Sequence, residues 1–487
     1  MPKKHLAIDL GASNGRAILG SFDGERFTLD EIHRFPNDPV AIGNSFIWDT
    51  YRLYHEIKTA LQKQIADGGA ETVGIDTWGV DMGYVDASGS LLGAHHNYRD
   101  SRTEGMEAEV FAKIPYAELY SIAGIQSQSI NTLYQLAADL KYRPHVVREA
   151  KAALWSPDLL GYFLTGERVS EYTIASTGSF LDAKERAISR RILGAIGYDA
   201  SLFAPVVMPG KRIAPLRSSV DDELGSSGIE LCSVGSHDTA SAILAIPGDA
   251  DSLFISSGTW SIMGVLSNEP ILTDDARELG FSNEGGCFGK ITFIKNIMGL
   301  WLEQESRRQW KREGKSYTYD ELSDMAAVSA PARSLVDPLD GRFSPAGDMP
   351  RRIADYCRET GQPIPETPGE TVRCIFDSLA LCYRRTAEGI ERLTGKSYNA
   401  INVIGGGTKE RRLSRITADA CRRTVVAGPA EATALGNIAM QAFASGELST
   451  EAEIKDALRL TADPETFEPD ESAAALWDDA YARFLAL

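Results

Sequence analysis

A short apolar run, residues 6–10, carries Asp9 near its end and enters the turn Gly11-Ala12-Ser13-Asn14-Gly15. Arg16 follows, and then a second apolar run at 17–22. Asp23-Gly24 is a hairpin signal, and residues 26–35 read as a third strand. The order is strand–turn–strand. Dinucleotide and Walker fingerprints need a helix behind the glycines, so neither fits. Asp9-x-Gly instead sets a carboxylate beside a turn of exposed backbone N–H groups, although a Gly-rich hairpin without a ligand reads the same way. The layout returns later. Leu253-Phe254-Ile255 enters Ser256-Ser257-Gly258-Thr259 and leaves as Trp260-Ser261-Ile262-Met263-Gly264-Val265. Two halves that each open on such a hairpin predict a duplicated α/β unit with a cleft between.

The chain of 487 residues is long enough for two to four units of ~150 residues. Pro247-Gly248-Asp249 is taken as the boundary, giving domains 1–246 and 247–487. Within them the pattern predicts a helix at 49–66, a strand group at 72–92 and a largely helical stretch to about 195. Lys295-Asn296-Ile297-Met298-Gly299-Leu300-Trp301-Leu302-Glu303-Gln304 reads as the start of an amphipathic helix. Residues 330–370 hold seven prolines and read as loop. A long helix is expected at 369–394 and a strand at 401–404. That strand runs into Gly405-Gly406-Gly407-Thr408 and a helix to about 423, with another helix at 432–443. The last forty residues read as acidic and helical, with no chemistry assigned.

Sixty-eight acidic against fifty basic residues leave a net charge of -18. A nucleic-acid or anionic-membrane binder needs a basic face, so neither partner is expected. An anionic ligand stays open, because a pocket can gather cations and N–H groups locally. Met1-Pro2-Lys3-Lys4-His5 fits no signal peptide, and no apolar run reaches ~18 residues. The six cysteines (232, 287, 357, 374, 382 and 421) include no CxxC and no zinc spacing, which points to buried thiols in the cytoplasm. Pairing of Cys357 with Cys374 across the Pro-rich loop is the alternative.

Three stretches carry candidate chemistry. In Gly235-Ser236-His237-Asp238-Thr239-Ala240-Ser241-Ala242 a turn leads into a helix with Asp238 in its first turn. An acidic residue there suits the helix dipole, or it is a catalytic carboxylate. In Gly74-Ile75-Asp76-Thr77-Trp78-Gly79-Val80-Asp81 two carboxylates, an indole and a flexible Gly suit a sugar, while loop Asp residues also serve as plain turn formers. The triple glycine 405–407 at a strand–helix junction permits close approach of phosphate or ribose, or forms a simple turn.

Taken in order, these motifs resemble the FGGY carbohydrate kinases. The match includes Asp9–Arg16 as numbered above, the 74–81 and 236–242 runs, Tyr98-Arg99-Asp100-Ser101-Arg102-Thr103, Ser256-Ser257-Gly258-Thr259-Trp260-Ser261, 295–301 and Gly405-Gly406-Gly407, over roughly residues 5–440. The His-Asp-Thr-Ala-Ser and Asp-Thr-Trp-Gly-Val-Asp runs resemble the branch acting on L-rhamnulose. The resemblance implies an α/β fold of two actin/hexokinase-like (ribonuclease H-like) domains with an interdomain cleft, each on a five-stranded mixed sheet. It implies transfer of the γ-phosphoryl of ATP to the 1-hydroxyl of L-rhamnulose in L-rhamnose catabolism. Asp238 is then the general base, with Gly79, His237 and Thr239 at the sugar. Ala12, Ser13, Asn14, Gly15 and Arg16 contact the polyphosphate. Asp9 supports Mg²⁺ through water. Thr259 donates to phosphate, and Asn296, Gln304 and Gly406 line the nucleotide site. Asn14 departs from the expected Ser or Thr. The two domains are expected to close on sugar about Pro247–Asp249, in a monomer or homodimer. Other ketoses or polyols (L-fuculose, L-xylulose) are alternative acceptors, and an actin- or Hsp70-like ATPase is the reading from another class.

Overall fold

Leu6, Ala7, Ile8 and Leu10 are wholly buried. A strand flanked by partners on both edges and covered on both faces has no polar side to alternate with. In the computed structural model, which describes residues 2–66, 68–225, 227–248 and 252–487, they lie on β1 (Lys4–Leu10). β2 (Asn14–Phe22), β3 (Phe27–Pro36), β4 (Thr72–Thr77), β5 (Lys211–Pro215) and β6 (Glu230–Ser233) complete a sheet of order β5-β6-β4-β1-β2-β3. It has six strands rather than five. β1 pairs antiparallel with β2 and parallel with β4, so the sheet is mixed.

Contacts divide the chain into two units, each discontinuous in sequence. The first holds Met1–Ala245, Leu266–Phe293 and Ala432–Thr461. The second holds Ile246–Val265, Ile294–Glu431 and Ala462–Leu487. A single cut at 246–247 does not describe this grouping, because the helix Ala432–Ala444 packs on the first unit's sheet. A Cβ on Gly20 of β2 would lie 2.4 Å from Ile438, and one on Gly436 would lie 1.9 Å from the Ser241 carbonyl oxygen. Gly20 lets this helix lie close on the strand, and Gly436 lets it lie close on the helix Asp238–Leu244, because neither position carries a side chain. Asp249 of the expected boundary turn lies outside the described residues.

The helix Thr50–Ala66 covers one face of the first sheet through Leu53, Ile57, Ala60 and Leu61. A second core in the same unit is aromatic. Trp155 stacks on Phe180 at 5.7 Å, and both meet Phe203. This core holds together the helices that the sequence predicts up to about residue 195.

In the second unit β7 (Leu253–Ser257) and β8 (Trp260–Ser267) form the repeated hairpin. β9 (Ala400–Ile404) lies parallel to β7, β10 (Thr424–Ala427) parallel to β9, and β11 (Glu465–Phe467) antiparallel to β10. β11 falls in the tail expected to be helical. The helix Pro368–Thr394 has Pro in its first turn and a capping box from Thr367 and Glu370, which fixes its start. One expectation fails here. Asn296 lies on a strand, Ile291–Met298, and the helix begins only at Trp301. Thr292, Phe293, Ile294 and Ile297 favour the extended chain, and Gly299 separates them from the helix. Among the described residues, no helix is long and apolar enough to cross a membrane. All six cysteines are free and buried, Cys357 and Cys374 included.

Candidate active site

The turn after β1 is tighter than its glycines suggest. Asn14, Gly15 and Arg16 already belong to β2, and Gly11 N–H donates to Asn14 O at 2.9 Å. Ala12 and Ser13 stand exposed at the tip, and the Asn14 amide donates to Ser13 Oγ at 3.3 Å. Gly15 is required by packing, since a Cβ would fall 2.3 Å from the Phe35 ring. Register places Arg16 opposite Asp9, and the two side chains form an ion pair.

Asp76 sits beside Asp9 on β4. It is fully buried, one oxygen accepts from Asn437 at 2.5 Å, and Oδ1 has no partner among the described residues. Burial, with Asp9 next to it, holds the Asp76 carboxyl well above the usual carboxylate range.

Asp238 opens the helix Asp238–Leu244, and His237 is its N-cap residue. The entry is pinned at several points. Thr77 N–H donates to Ser236 O at 2.9 Å, Ser241 Oγ to Gly235 O at 2.7 Å, and His237 N–H to Thr173 Oγ1 at 3.1 Å. Behind these bonds lies Glu171, wholly buried, whose carboxylate accepts from the Thr173, Ile174 and Ser236 N–H groups and from Thr173 Oγ1. Burial lifts it to about 7 in spite of those donors. At the other end of the helix, Lys455 Nζ donates to Leu244 O at 2.9 Å, a cation where the dipole favours one.

The Asp238 carboxylate keeps 31% of its surface exposed. Thr239 Oγ1 donates to Oδ1 at 3.1 Å, and His237 Nε2 stands 3.6 Å from the same oxygen. Burial raises the carboxyl, Asp9 adds to the rise, and His237 opposes it. The His237 ring bonds through Nδ1 to Glu284 at 3.1 Å. Burial alone would depress an imidazolium, but the Glu284 carboxylate, with Asp238 and Glu171 beyond it, lifts His237 to about 8. Gly79 lies against this ring, since its Cβ would come 3.3 Å from Nε2. The arrangement is a partly exposed carboxylate, clamped by a hydroxyl and a cationic ring, at the start of a fixed helix.

Two residues expected at the sugar turn inward. Trp78 is 5% exposed and packs at a tilt against Trp48 at 4.0 Å, so its face is not offered to a ligand. Asp81 is wholly buried and accepts from Trp48 Nε1, Trp78 Nε1, Tyr98 N–H and Gln135 Nε2. It is the hub that shapes the loop. Gly79 of that motif lies at the His237 ring.

In the second unit, Thr259 stands at the β7–β8 turn and its Oγ1 donates to Gln304 Oε1 at 3.1 Å. Gly299 and Trp301 N–H both donate to Thr259 O, locking the turn to the start of the helix Trp301–Arg312. Gly407 has no room for a side chain, with Ser257 Oγ 2.0 Å from a Cβ built on it, whereas Gly406 faces open space. The glycines do not lead straight into a helix. A tight turn, Gly406–Lys409, intervenes, and Glu410 caps the helix Arg411–Cys421 with its own carboxylate by accepting from Arg412 N–H at 3.1 Å. The first N–H groups of that helix are therefore committed to an acid of the chain. Asn296 is half-buried on its strand.

The sequence profiles of the FGGY family of carbohydrate kinases match residues 5–245 for the N-terminal domain and 253–445 for the C-terminal domain. The chain belongs to the FGGY family of carbohydrate kinases. It is 40% identical to a rhamnulokinase of Bacteroides thetaiotaomicron over 487 residues, 99% of each chain. It is 39% identical to a rhamnulokinase of Halalkalibacterium halodurans over 91% of this chain and 94% of that one. Its fold is that of solved FGGY kinases. Xylulose kinase from Lactobacillus acidophilus superposes with a TM-score of 0.83 at 14% identity, covering 99% of this chain and 97% of that one. Plasmodium falciparum glycerol kinase with ADP gives 0.80 at 13% identity, covering 100% and 98%. These neighbours share the two-unit α/β fold of this chain.

Asp9, Arg16, Gly79, His237, Asp238 and Thr239 of the sequence reading all fall in the first unit, as does Asp76 of the 74–81 motif, while Glu284 and Glu171 are not singled out by it. Glu284 has a local signal, a carboxylate before Gly285-Gly286 within an apolar stretch. Glu171 has none beyond its burial, which is visible only in the fold, and the place of Asp76 beside Asp9 is likewise visible only there.

Proposed function

We propose that this chain transfers the γ-phosphoryl of ATP to the 1-hydroxyl of L-rhamnulose, giving L-rhamnulose 1-phosphate and ADP. One observation carries the reading: Asp238 is a partly exposed carboxylate held by Thr239 and His237 at a fixed helix start, as a base for a sugar hydroxyl must be. The acceptor is supported by the rhamnulokinases that align with almost the whole chain.

Phosphoryl transfer asks for positioning and charge stabilisation more than covalent help. Asp238 takes the proton of the attacking hydroxyl, which becomes acidic only as its bond to phosphorus forms. His237 Nε2–H donates to a sugar oxygen, Thr239 Oγ1 accepts from a sugar hydroxyl while it donates to Asp238, and the Gly79 backbone allows the sugar close to the ring. Ala12, Ser13, Asn14, Gly15 and Arg16 hold the polyphosphate, and Thr259, Asn296, Gln304 and Gly406 hold the nucleotide.

Mg²⁺ suits the first unit. The cation keeps several waters and takes one or two carboxylates. Asp9 and Asp76 supply that pair, and the orphaned Oδ1 of Asp76 is an oxygen in need of a partner. Among the described residues, no group of three or more His, Cys, Asp or Glu could hold a metal ion, so the remaining ligands would be water and phosphate. When bound, the ion would neutralise charge on the phosphate oxygens.

A coupled ADP-release assay across L-rhamnulose, L-fuculose, L-xylulose and polyols tests the proposal. L-Rhamnulose should be among the best acceptors. Since one methyl is worth ~1–3 kcal/mol, weaker turnover of close analogues is compatible, but an L-rhamnulose rate at background ends the acceptor assignment.

A further inference from the structure

Glu284 lies on the short strand Ser282–Gly285, outside every sugar or nucleotide motif. Its carboxylate is 12% exposed and bonds His237 Nδ1 at 3.1 Å. The strand is pinned to the helix Tyr172–Ser176: Ser176 Oγ accepts from Gly285 N–H at 2.7 Å, and a Cβ on Gly285 would lie 2.7 Å from Tyr172. The same helix is capped by Glu171, which holds Ser236 and Thr173. One short helix thus fixes both the backbone that enters Asp238 and the acid behind the neighbouring imidazole.

A carboxylate can only accept, so Nδ1 donates and Nε2 is left facing Asp238 Oδ1 at 3.6 Å, an ion-pair distance. We infer that Glu284 is a positioning residue for phosphoryl transfer: it anchors the His237 ring by Nδ1 and keeps it cationic, so that Nε2–H faces the acceptor and Asp238 stays ionised. The inference rests on the reading of Asp238 as the base. The charged groups around the ring are Glu284 from its strand, Glu171 from the helix cap and Asp238 from the ring's own segment. Three acids around one imidazole favour its protonated form, and that cation in turn opposes the rise that burial and Asp9 impose on Asp238.

The test uses full-length wild type, Glu284→Gln, Glu284→Asp, His237→Asn and the Glu284→Gln/His237→Asn double variant. Carbon-13-labelled histidine reports the ring titration by NMR, with His237 assigned by its absence in His237→Asn. His237 should titrate near 8 in wild type. Glu284→Gln keeps an acceptor but loses the charge, and should lower that midpoint by about one pH unit or more. The alkaline limb of kcat/KM should move with it, costing roughly fivefold or more at pH 8. Glu284→Asp should restore the limb. The double variant should be no slower than His237→Asn, because Glu284 acts through the ring. A wild-type ring that titrates below the ordinary histidine value overturns the inference, and that arm needs no mutant to fold. Unmoved limbs in Glu284→Gln, or additive losses, overturn it as well. The NMR arm does not depend on the sugar, so failure of the acceptor assignment is read separately.

Discussion

Asp9 and Asp76 lie opposite each other on neighbouring parallel strands, Asp9 paired with Arg16 and Asp76 bonded by Asn437 at 2.5 Å. Two carboxylates at one register repel, and the fold tolerates them because an arginine serves one and an amide the other. That leaves an acidic pair beside the turn Gly11–Gly15, the pair proposed above for a hydrated cation. Asp9→Asn should raise the Mg²⁺ concentration for half-maximal turnover by about tenfold or more. A Mg²⁺ titration matching wild type would remove Asp9 from the cation site.

Asp238→Asn keeps the shape of the carboxylate and loses its basicity. Turnover should fall by roughly 10²-fold or more, while ATP affinity measured by calorimetry stays close to wild type. Near-normal turnover would show that another group takes the proton.

Gly436→Ala would ordinarily help a helix by about 1 kcal/mol. Here the new methyl would stand 1.9 Å from the Ser241 carbonyl oxygen, a backbone atom of the helix that begins at Asp238. The two helices must part, so thermal stability should drop by several degrees and turnover by about tenfold. A variant as stable as wild type would mean that the helices are not in this contact.

Glu303 is 2% exposed, and its Oε1 has no partner among the described residues. Burial, with Glu410 near it, lifts its carboxyl to about 8 from 4.5. A carboxyl raised in the folded state favours folding while protonated. That contribution is complete below pH 4.5 and is lost as pH rises through about 8. Glu303→Gln mimics the protonated acid at every pH. Its melting temperature should match wild type near pH 5 and exceed it above pH 8, by an amount equivalent to about 2 kcal/mol or more. Parallel melting curves across that range would refute the assignment.

All six thiols are free and buried. In the native state none should react quickly with a thiol reagent, and all six should react in denaturant without reductant. Recovery of a Cys357–Cys374 cross-linked peptide under non-reducing conditions would contradict this.

Much of the architecture is legible from local chemistry. The two hairpins follow from apolar runs broken by small residues, and the long helix 368–394 follows from its capping box. The misses are of one kind. At Asn296 a short apolar run carries no period of its own to separate helix from strand, and the β-branched and aromatic residues around it favour the extended form. Trp78 and Asp81 look like ligand groups in one dimension, yet each is saturated by partners from elsewhere in the fold. Glu410 caps a helix whose free N–H groups the glycines alone had suggested.

By itself the sequence determined the order of strands, turns and helices, the family, and the identity of the residues that carry charge to the site. Those properties depend on neighbours a few positions away, and on motifs that keep their order along the chain. Tertiary structure alone decided which carboxylates are buried among donors and which keep part of their surface open. Asp81 and Asp238 are both acids beside a turn. One is wholly buried and meets three donors from distant segments besides its neighbour Trp78, and the other keeps part of its surface open, with a hydroxyl and an imidazole at its side. A carboxylate's role is set by its desolvation and its partners, and both come from residues far apart in sequence.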